Sequence, residues 1–150
     1  MILLLIDSRE QSPLVFPKEI NQEVIGLPFG DYTAMIDGKQ VPVAFDRKSL
    51  GDLYGTMTHG YERWKRCMAK AKDCGHKLIL ITEGTYSDVE AGYSHSDFSG
   101  DAMIKKLETL AVKYDLEWWA CESRQVMSKR ILGTFQAIER MWAKEARAGS

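Results

Sequence analysis

Apolar positions in the first third of the chain fall in short blocks that predict strands. Residues 2–6 form a continuous apolar run, which is typical of a strand buried on both faces. Residues 23–48 contain a short strand, a turn at Gly30 and a hairpin whose tip lies around Asp37 and Gly38. This part of the chain therefore predicts paired strands before any helix begins.

Helical spacing begins at Ser49, which can cap a helix, and glycines at positions 55 and 60 predict a break before the next one. The polar segment 85–101 predicts a functional or mobile loop that closes over a substrate or contacts a second copy of the chain. The other elements are helices at 61–73, 102–114 and 124–146 and strands at 77–84 and 116–122. The order β, β, β, α, β, α, β, α predicts an α/β fold with a mixed central sheet flanked by helices.

Composition and charge narrow the class of protein. With 150 residues, 45% of them hydrophobic and 27% charged, the chain predicts one core and a single domain over residues 1–150. The net charge of −1 means that a local patch must hold any polyanion. The first apolar run is too short for a signal peptide or a membrane span, which predicts a cytoplasmic protein without a membrane partner.

The cysteines and histidines do not point to a metal site. The three cysteines include no CxxC pair, and the three histidines have neither HxxxH nor HExxH spacing. His59 and His95 fall in Gly- or Ser-rich segments, where solvated loop histidines are the favoured interpretation. Any metal is therefore expected to be held by carboxylates.

The stretch VPVAFDRKSLGD, residues 41–52, ends an apolar strand with three charged residues. Side chains alternate along a strand, so Asp46 and Lys48 share one face and Arg47 points to the other. Two residues span ~7 Å along a strand, so a carboxylate can hold a metal beside an ammonium that reaches a water or phosphate oxygen. By itself this spacing is a weak signal, because strands that emerge into solvent also end in charges.

Other carboxylates can join Asp46 if the strands that carry them are neighbours. Asp31 follows Gly30 before the preceding strand, and Asp7 and Glu10 follow the first strand. Mg²⁺ rarely binds a single carboxylate, and a carboxylate-held Mg²⁺ suits phosphodiester hydrolysis. The structural alternatives are a turn residue at Asp31 and a local hydrogen bond at the end of the first strand.

Three of these segments, in this order, resemble one nuclease family. IDSRE at 6–10, GDY at 30–32 and DRKSLGD at 46–52 resemble the nuclease domain of the XPF-type structure-specific endonucleases, in the restriction-endonuclease-like PD-(D/E)xK superfamily. The family pattern is a GD pair followed by ERKxxxD, and the resemblance covers about residues 2–84. Since no helix-hairpin-helix tandem follows, the chain resembles the stand-alone versions of bacteria and phages.

The resemblance implies a restriction-endonuclease-like fold and a metal-dependent DNA endonuclease acting on branched, flap or fork DNA in repair or recombination. The alternative is a catalytically inactive DNA-structure-binding module of the same fold, and a homodimer is left open. The implied cofactor is Mg²⁺, for which Mn²⁺ can substitute. The implied catalytic residues are Asp31, Asp46, Lys48, Asp7 and Glu10, with Asp31, Asp46 and Asp7 as metal ligands and Arg9, Arg47 and Asp52 in support.

Two positions depart from the family pattern. Asp46 stands where the family commonly has Glu, which sets the carboxylate back by one methylene. Gly60 is followed by Tyr61 instead of Arg, and Arg63 is the nearest substitute. The basic segment 63–77 fits a phosphate-contacting patch and a solvated helix face equally well, with Trp64, Met68 and Ala71 facing the core in the second case. The expected DNA contacts are Arg9, Arg47, Arg63, Lys65 and Arg66.

Overall fold

Residues 1–149 are described by a computed structural model, in which helices cover both faces of one sheet. The strands are β1 (Ile2–Asp7), β2 (Asn21–Ile25), β3 (Tyr32–Ile36), β4 (Lys39–Gln40), β5 (Val43–Lys48), β6 (Lys77–Glu83) and β7 (Glu117–Cys121). The helices are α1 (Leu50–Thr58), α2 (Tyr61–Asp73), α3 (Tyr86–Ala91), α4 (Gly100–Tyr114) and α5 (Arg124–Ala148). In this part of the chain no helix combines the length and the apolar composition that crossing a membrane requires.

The sheet is mixed, as the sequence predicts. Its order is β2-β1-β3-β5-β6-β7, with β4 paired to β3 outside this path. Strand β3 is antiparallel to both β1 and β5, whereas β5, β6 and β7 run parallel. Parallel neighbours need long crossovers, and helices α1 to α4 supply them. Strands β1, β3 and β5 are thus adjacent, which is the arrangement that allows their acids to meet.

Two apolar clusters lie on opposite faces of the sheet. On one face Phe45 packs against Phe135 of α5, with ring centroids 5.7 Å apart. On the other face Ala44 belongs to the cluster that includes Leu53 of α1 and Trp64 of α2. Because neighbours in β5 alternate between these faces, Asp46 and Lys48 lie on the side of α1 and α2, and Arg47 lies on the opposite side.

Three details differ from the predicted elements. Helix α1 continues through Gly55, so the break lies at Gly60 alone. Segment 85–101 was predicted as a loop but contains helix α3, which begins after a capping box at Thr85. Helix α3 has one buried residue, Val89, so its sequence shows no helical periodicity. Five strands precede α1, whereas the predicted order had three. The hairpin contributes the additional two-residue strand β4, and β2 is a separate strand that pairs with β1.

Candidate active site

Main-chain hydrogen bonds bring the ends of β1, β3 and β5 together at a cleft of about 710 Å³. The Asp7 N–H donates to the Asp31 carbonyl at 2.8 Å, and the Asp31 N–H donates to the Phe45 carbonyl at 2.7 Å. Asp7, Asp31 and Asp46 therefore all line this cleft, although they come from three separate segments. The structure brings Glu10, Arg47 and Lys48 to the same cleft.

Gly30 is needed where β3 approaches β5. Its φ is +74°, in the left-handed region that favours glycine. A Cβ at this position would lie 3.1 Å from the Ala44 Cβ and 3.3 Å from the Phe45 carbonyl oxygen. The glycine of the GD pair thus lets the chain turn tightly against β5 and sets Asp31 beside Asp46.

Asp31 and Asp46 form the central acid pair of the cleft. Asp46 is buried and Asp31 is half-buried, and Asp31 Oδ2 accepts the Arg47 N–H at 2.7 Å. Burial, and after it the charge of Asp46, raises the pKa of Asp31 to about 8. Two carboxylates held this close repel one another unless a proton or a cation lies between them. This donor pair fits Mg²⁺ or Mn²⁺, which prefer oxygen ligands.

Asp46 is held from two further sides. The Trp64 indole Nε1 donates to Asp46 Oδ2 at 2.6 Å, and the Lys48 Nζ lies 3.3 Å from Asp46 Oδ1. Lys48 shares the face of Asp46, as the strand alternation predicts, and its Nζ is 5.8 Å from the centroid of the Trp64 ring. The sequence identified Trp64 only as a core residue. The available signal was that a buried indole N–H needs an acceptor.

Arg47 and Glu10 form a bidentate ion pair on the other side of β5. Arg47 Nε donates to Glu10 Oε2 at 2.8 Å, and Arg47 Nη2 donates to Glu10 Oε1 at 2.7 Å. Both side chains are only 7% exposed, and the hydrogen bond to Glu10 raises the pKa of Arg47. Arg47 therefore anchors a neighbouring acid, while its contact with DNA and the catalytic role of Glu10 stay predictions.

Both carboxylate oxygens of Asp7 accept hydrogen bonds from neighbouring groups. Its Oδ1 accepts the Leu27 N–H at 2.9 Å, and its Oδ2 accepts Arg9 Nε at 2.9 Å. The Arg9 side chain is 65% exposed and lines the cleft, where its contact with DNA stays a prediction. Within residues 1–149 no three His, Cys, Asp or Glu side chains are grouped so that they could hold a metal ion. The structure thus offers Asp31 and Asp46 as a pair, and metal binding by Asp7 stays a prediction.

The basic residues of α2 separate into two groups. Arg63 is exposed and lines the cleft, whereas the described lining includes neither Lys65 nor Arg66. The Lys65 Nζ pairs with Glu62 at 2.9 Å and lies 4.8 Å from the centroid of the Tyr61 ring. The opposite stripe of α2 is buried, as the alternative of a solvated helix face requires, and consists of Trp64, Met68 and Ala71.

Comparisons with known proteins agree with this architecture. Residues 6–131 match the family model described as the ERCC4 domain. XPF from Aeropyrum pernix has a TM-score of 0.67 and 15% identity, over 97% of this chain and 69% of that chain. The structure of XPF from Aeropyrum pernix in complex with DNA has a TM-score of 0.67 and 17% identity, over 97% and 66%. At such identities the likeness establishes the restriction-endonuclease-like α/β fold alone. A search of curated proteins found no match.

Proposed function

The chain belongs to the ERCC4 domain family and carries an XPF-type nuclease domain, and on this premise we propose that it is a metal-dependent DNA endonuclease. Its proposed substrates are branched, flap or fork DNA in repair or recombination. One observation carries the proposal: the half-buried Asp31 and the buried Asp46 line one open cleft, and the Lys48 ammonium lies 3.3 Å from Asp46. Such a set suits phosphodiester hydrolysis.

In this proposal Asp31 and Asp46 would hold Mg²⁺, or Mn²⁺ in its place. When bound, the ion supplies positive charge for the phosphoryl oxygens and acidifies a water. Lys48 can hold a phosphate oxygen or the attacking water beside the acid pair, because its ammonium has three donors and lies 3.3 Å from Asp46 Oδ1. The Arg47 N–H and the Trp64 indole each hold one carboxylate oxygen of the pair, which keeps both carboxylates oriented.

A catalytically inactive DNA-structure-binding module of the same fold is the alternative. The exposed side chains of Arg9 and Arg63 at the cleft would serve this role equally well. The placement of Asp31 beside the buried Asp46 argues against it, because two neighbouring carboxylates repel one another and so lower the stability of the fold. A module that only binds DNA gains nothing from such a pair, whereas a metal-dependent nuclease requires one.

Cleavage of defined DNA structures tests the proposal. Labelled single-stranded, duplex, flap, fork and four-way-junction DNA is incubated with the protein, with Mg²⁺, with Mn²⁺ or with chelator. We expect metal-dependent cuts near branch points, and no cuts by Asp46→Asn. The matched control is Asp101→Asn, which changes an exposed acid paired with Lys105 on α4. Binding without cleavage under every metal would establish the inactive module instead.

A further inference from the structure

A second groove of about 570 Å³ lies next to the catalytic cleft. It is lined by residues of α1 and its C-cap His59, and by Tyr93, His95, Ser96, Asp97 and Phe98. Gly51 and Gly55 of α1 line both the groove and the cleft, so these two glycines mark the boundary that the two depressions share. An extended ligand that occupies both depressions can cross α1 at this boundary.

Gly55 is the position at which the crossing is open. It lies inside α1, is exposed, and would place a Cβ in open space with no heavy atom within 4 Å. Glycine destabilises a helix interior relative to alanine, and the packing of this protein does not require it here. The missing side chain leaves the helix backbone open to a close approach from outside the protein at this point.

The chemistry of the groove favours a flat, uncharged ring. The Tyr93 and Tyr54 rings lie 5.9 Å apart, and the His95 ring meets Tyr93 edge to face at 5.4 Å. Tyr93 is half-buried and His95 is exposed, so both offer surface to a ligand. Among the described residues that line the groove there is no lysine or arginine, and Asp97 adds a carboxylate. A phosphate is disfavoured at this surface, whereas a nucleobase can stack on the rings.

We propose that a single-stranded segment of the substrate crosses α1 at Gly51 and Gly55 and that one unpaired base stacks in the second groove. This inference rests on the proposed nuclease function and adds to it a binding site for one unpaired base, in a groove separate from the acid pair. Gly51 holds the aromatic wall close, because a Cβ there would lie 3.0 Å from the Tyr93 hydroxyl oxygen. Selection of branched or forked ends then follows from stacking, without sequence-specific contacts.

The test measures the affinity of the protein for DNA in chelator, so that it does not depend on cleavage. The probes are a fluorescent duplex, a fork with single-stranded arms, and forks with one abasic nucleotide at successive positions beside the junction. Gly55→Gln occupies the crossing with a good helix former, and Gly133→Gln is the matched control in α5, where a Cβ also meets no atom within 4 Å. His95→Ala removes one exposed ring without filling the groove.

We expect Gly55→Gln to weaken fork binding at least about 5-fold and to leave duplex binding unchanged, while its melting temperature does not fall. His95→Ala should bind the intact fork about 5-fold more weakly, which corresponds to the lower end of the stacking energy of a base on an aromatic side chain. Its affinity for one of the abasic forks should equal that of wild type. Gly133→Gln should bind as wild type does. If Gly55→Gln does not fold, His95→Ala and the abasic forks still show whether a base stacks in the second groove.

The inference and the proposed function fail separately. Wild-type affinity of both Gly55→Gln and His95→Ala for the fork, with cleavage intact, would overturn the stacking groove and leave the nuclease proposal standing. Tight fork binding that these variants lose, without cleavage under any metal, would overturn the nuclease proposal and support the groove. No binding of the wild-type protein to any probe would overturn both.

Discussion

Trp64 Nε1 donates a hydrogen bond of 2.6 Å to Asp46 Oδ2, which joins helix α2 to the acid pair formed by Asp46 of β5 and Asp31, the residue before β3. Trp64 is buried, and Lys48 lies at the other oxygen of Asp46. The carboxylate that stands one methylene further back than the family's glutamate is thereby held from both sides. We infer that Trp64 is a positioning residue for Asp46.

Trp64→Phe should lower the cleavage rate strongly and the free energy of unfolding only slightly. The variant keeps a ring in the core and loses only the donor to Asp46, and loss of a partner that orients a metal ligand typically costs about 10- to 100-fold in metal affinity or activity. The measurement is the cleavage rate against Mg²⁺ concentration, which should shift to higher Mg²⁺. The matched control is Trp118→Phe, which removes an indole bond to Thr82 on β6. Equal Mg²⁺ curves for the two variants would refute the positioning role.

Glu10→Gln should destabilise the fold strongly. It would leave the buried guanidinium of Arg47 without its ionic partner, and breaking a buried pair in this way costs about 3–5 kcal/mol. The free energy of unfolding from urea titration measures the loss. The matched control is Glu62→Gln, whose side chain is 76% exposed and pairs with Lys65 at the surface, where a change of under about 1 kcal/mol is expected. Similar losses for both variants would contradict the structural role of Glu10.

Stability without metal should fall as the pH rises through the interval set by Asp31. The pKa of Asp31 is about 8 in the folded protein against an ordinary value of 3.8, so the folded state keeps a proton that the unfolded state has released. The stabilising effect of this proton is complete below pH 3.8, the ordinary pKa, and is lost as the pH approaches 8. Melting temperatures in chelator should therefore show Asp31→Asn gaining more over wild type at about pH 8 than at about pH 5. A gain that does not change with pH would exclude the raised pKa.

Arg63→Gln should weaken DNA binding, whereas Arg66→Gln should have a smaller effect. Arg63 lines the cleft and Arg66 is exposed on α2 outside the described lining. Losing one phosphate contact lowers the slope of log affinity against log salt by about 1. Anisotropy titrations at several salt concentrations measure this slope. An unchanged slope in Arg63→Gln, with a reduced slope in Arg66→Gln, would show that α2 contacts DNA through Arg66 and not through Arg63.

Local patterns predicted the parts of the site that depend on strand geometry. Alternation along β5 is enough to put Asp46 and Lys48 on one face, and the Gly30–Asp31 pair marks the tight turn that the structure contains. Other features depend on contacts between distant residues. The Arg47–Glu10 pair joins residues 37 positions apart, and the Trp64 donor finds its acceptor only once α2 packs on the sheet. Periodicity shows that Trp64 is buried, but it does not show which acceptor it meets.

The role of Asp31 and Lys48 in metal-dependent cleavage is tested by the single-turnover cleavage rate of a fork as a function of Mg²⁺, measured for wild type, Asp31→Asn and Lys48→Ala. We predict that chelator abolishes wild-type cleavage and that Asp31→Asn is inactive at Mg²⁺ concentrations that saturate wild type. Lys48→Ala should still bind the fork and should cut it at least about 100-fold more slowly, as expected for loss of a group that stabilises developing charge. Mg²⁺-dependent cleavage at wild-type rates by both variants would contradict the account and assign the chemistry to other residues.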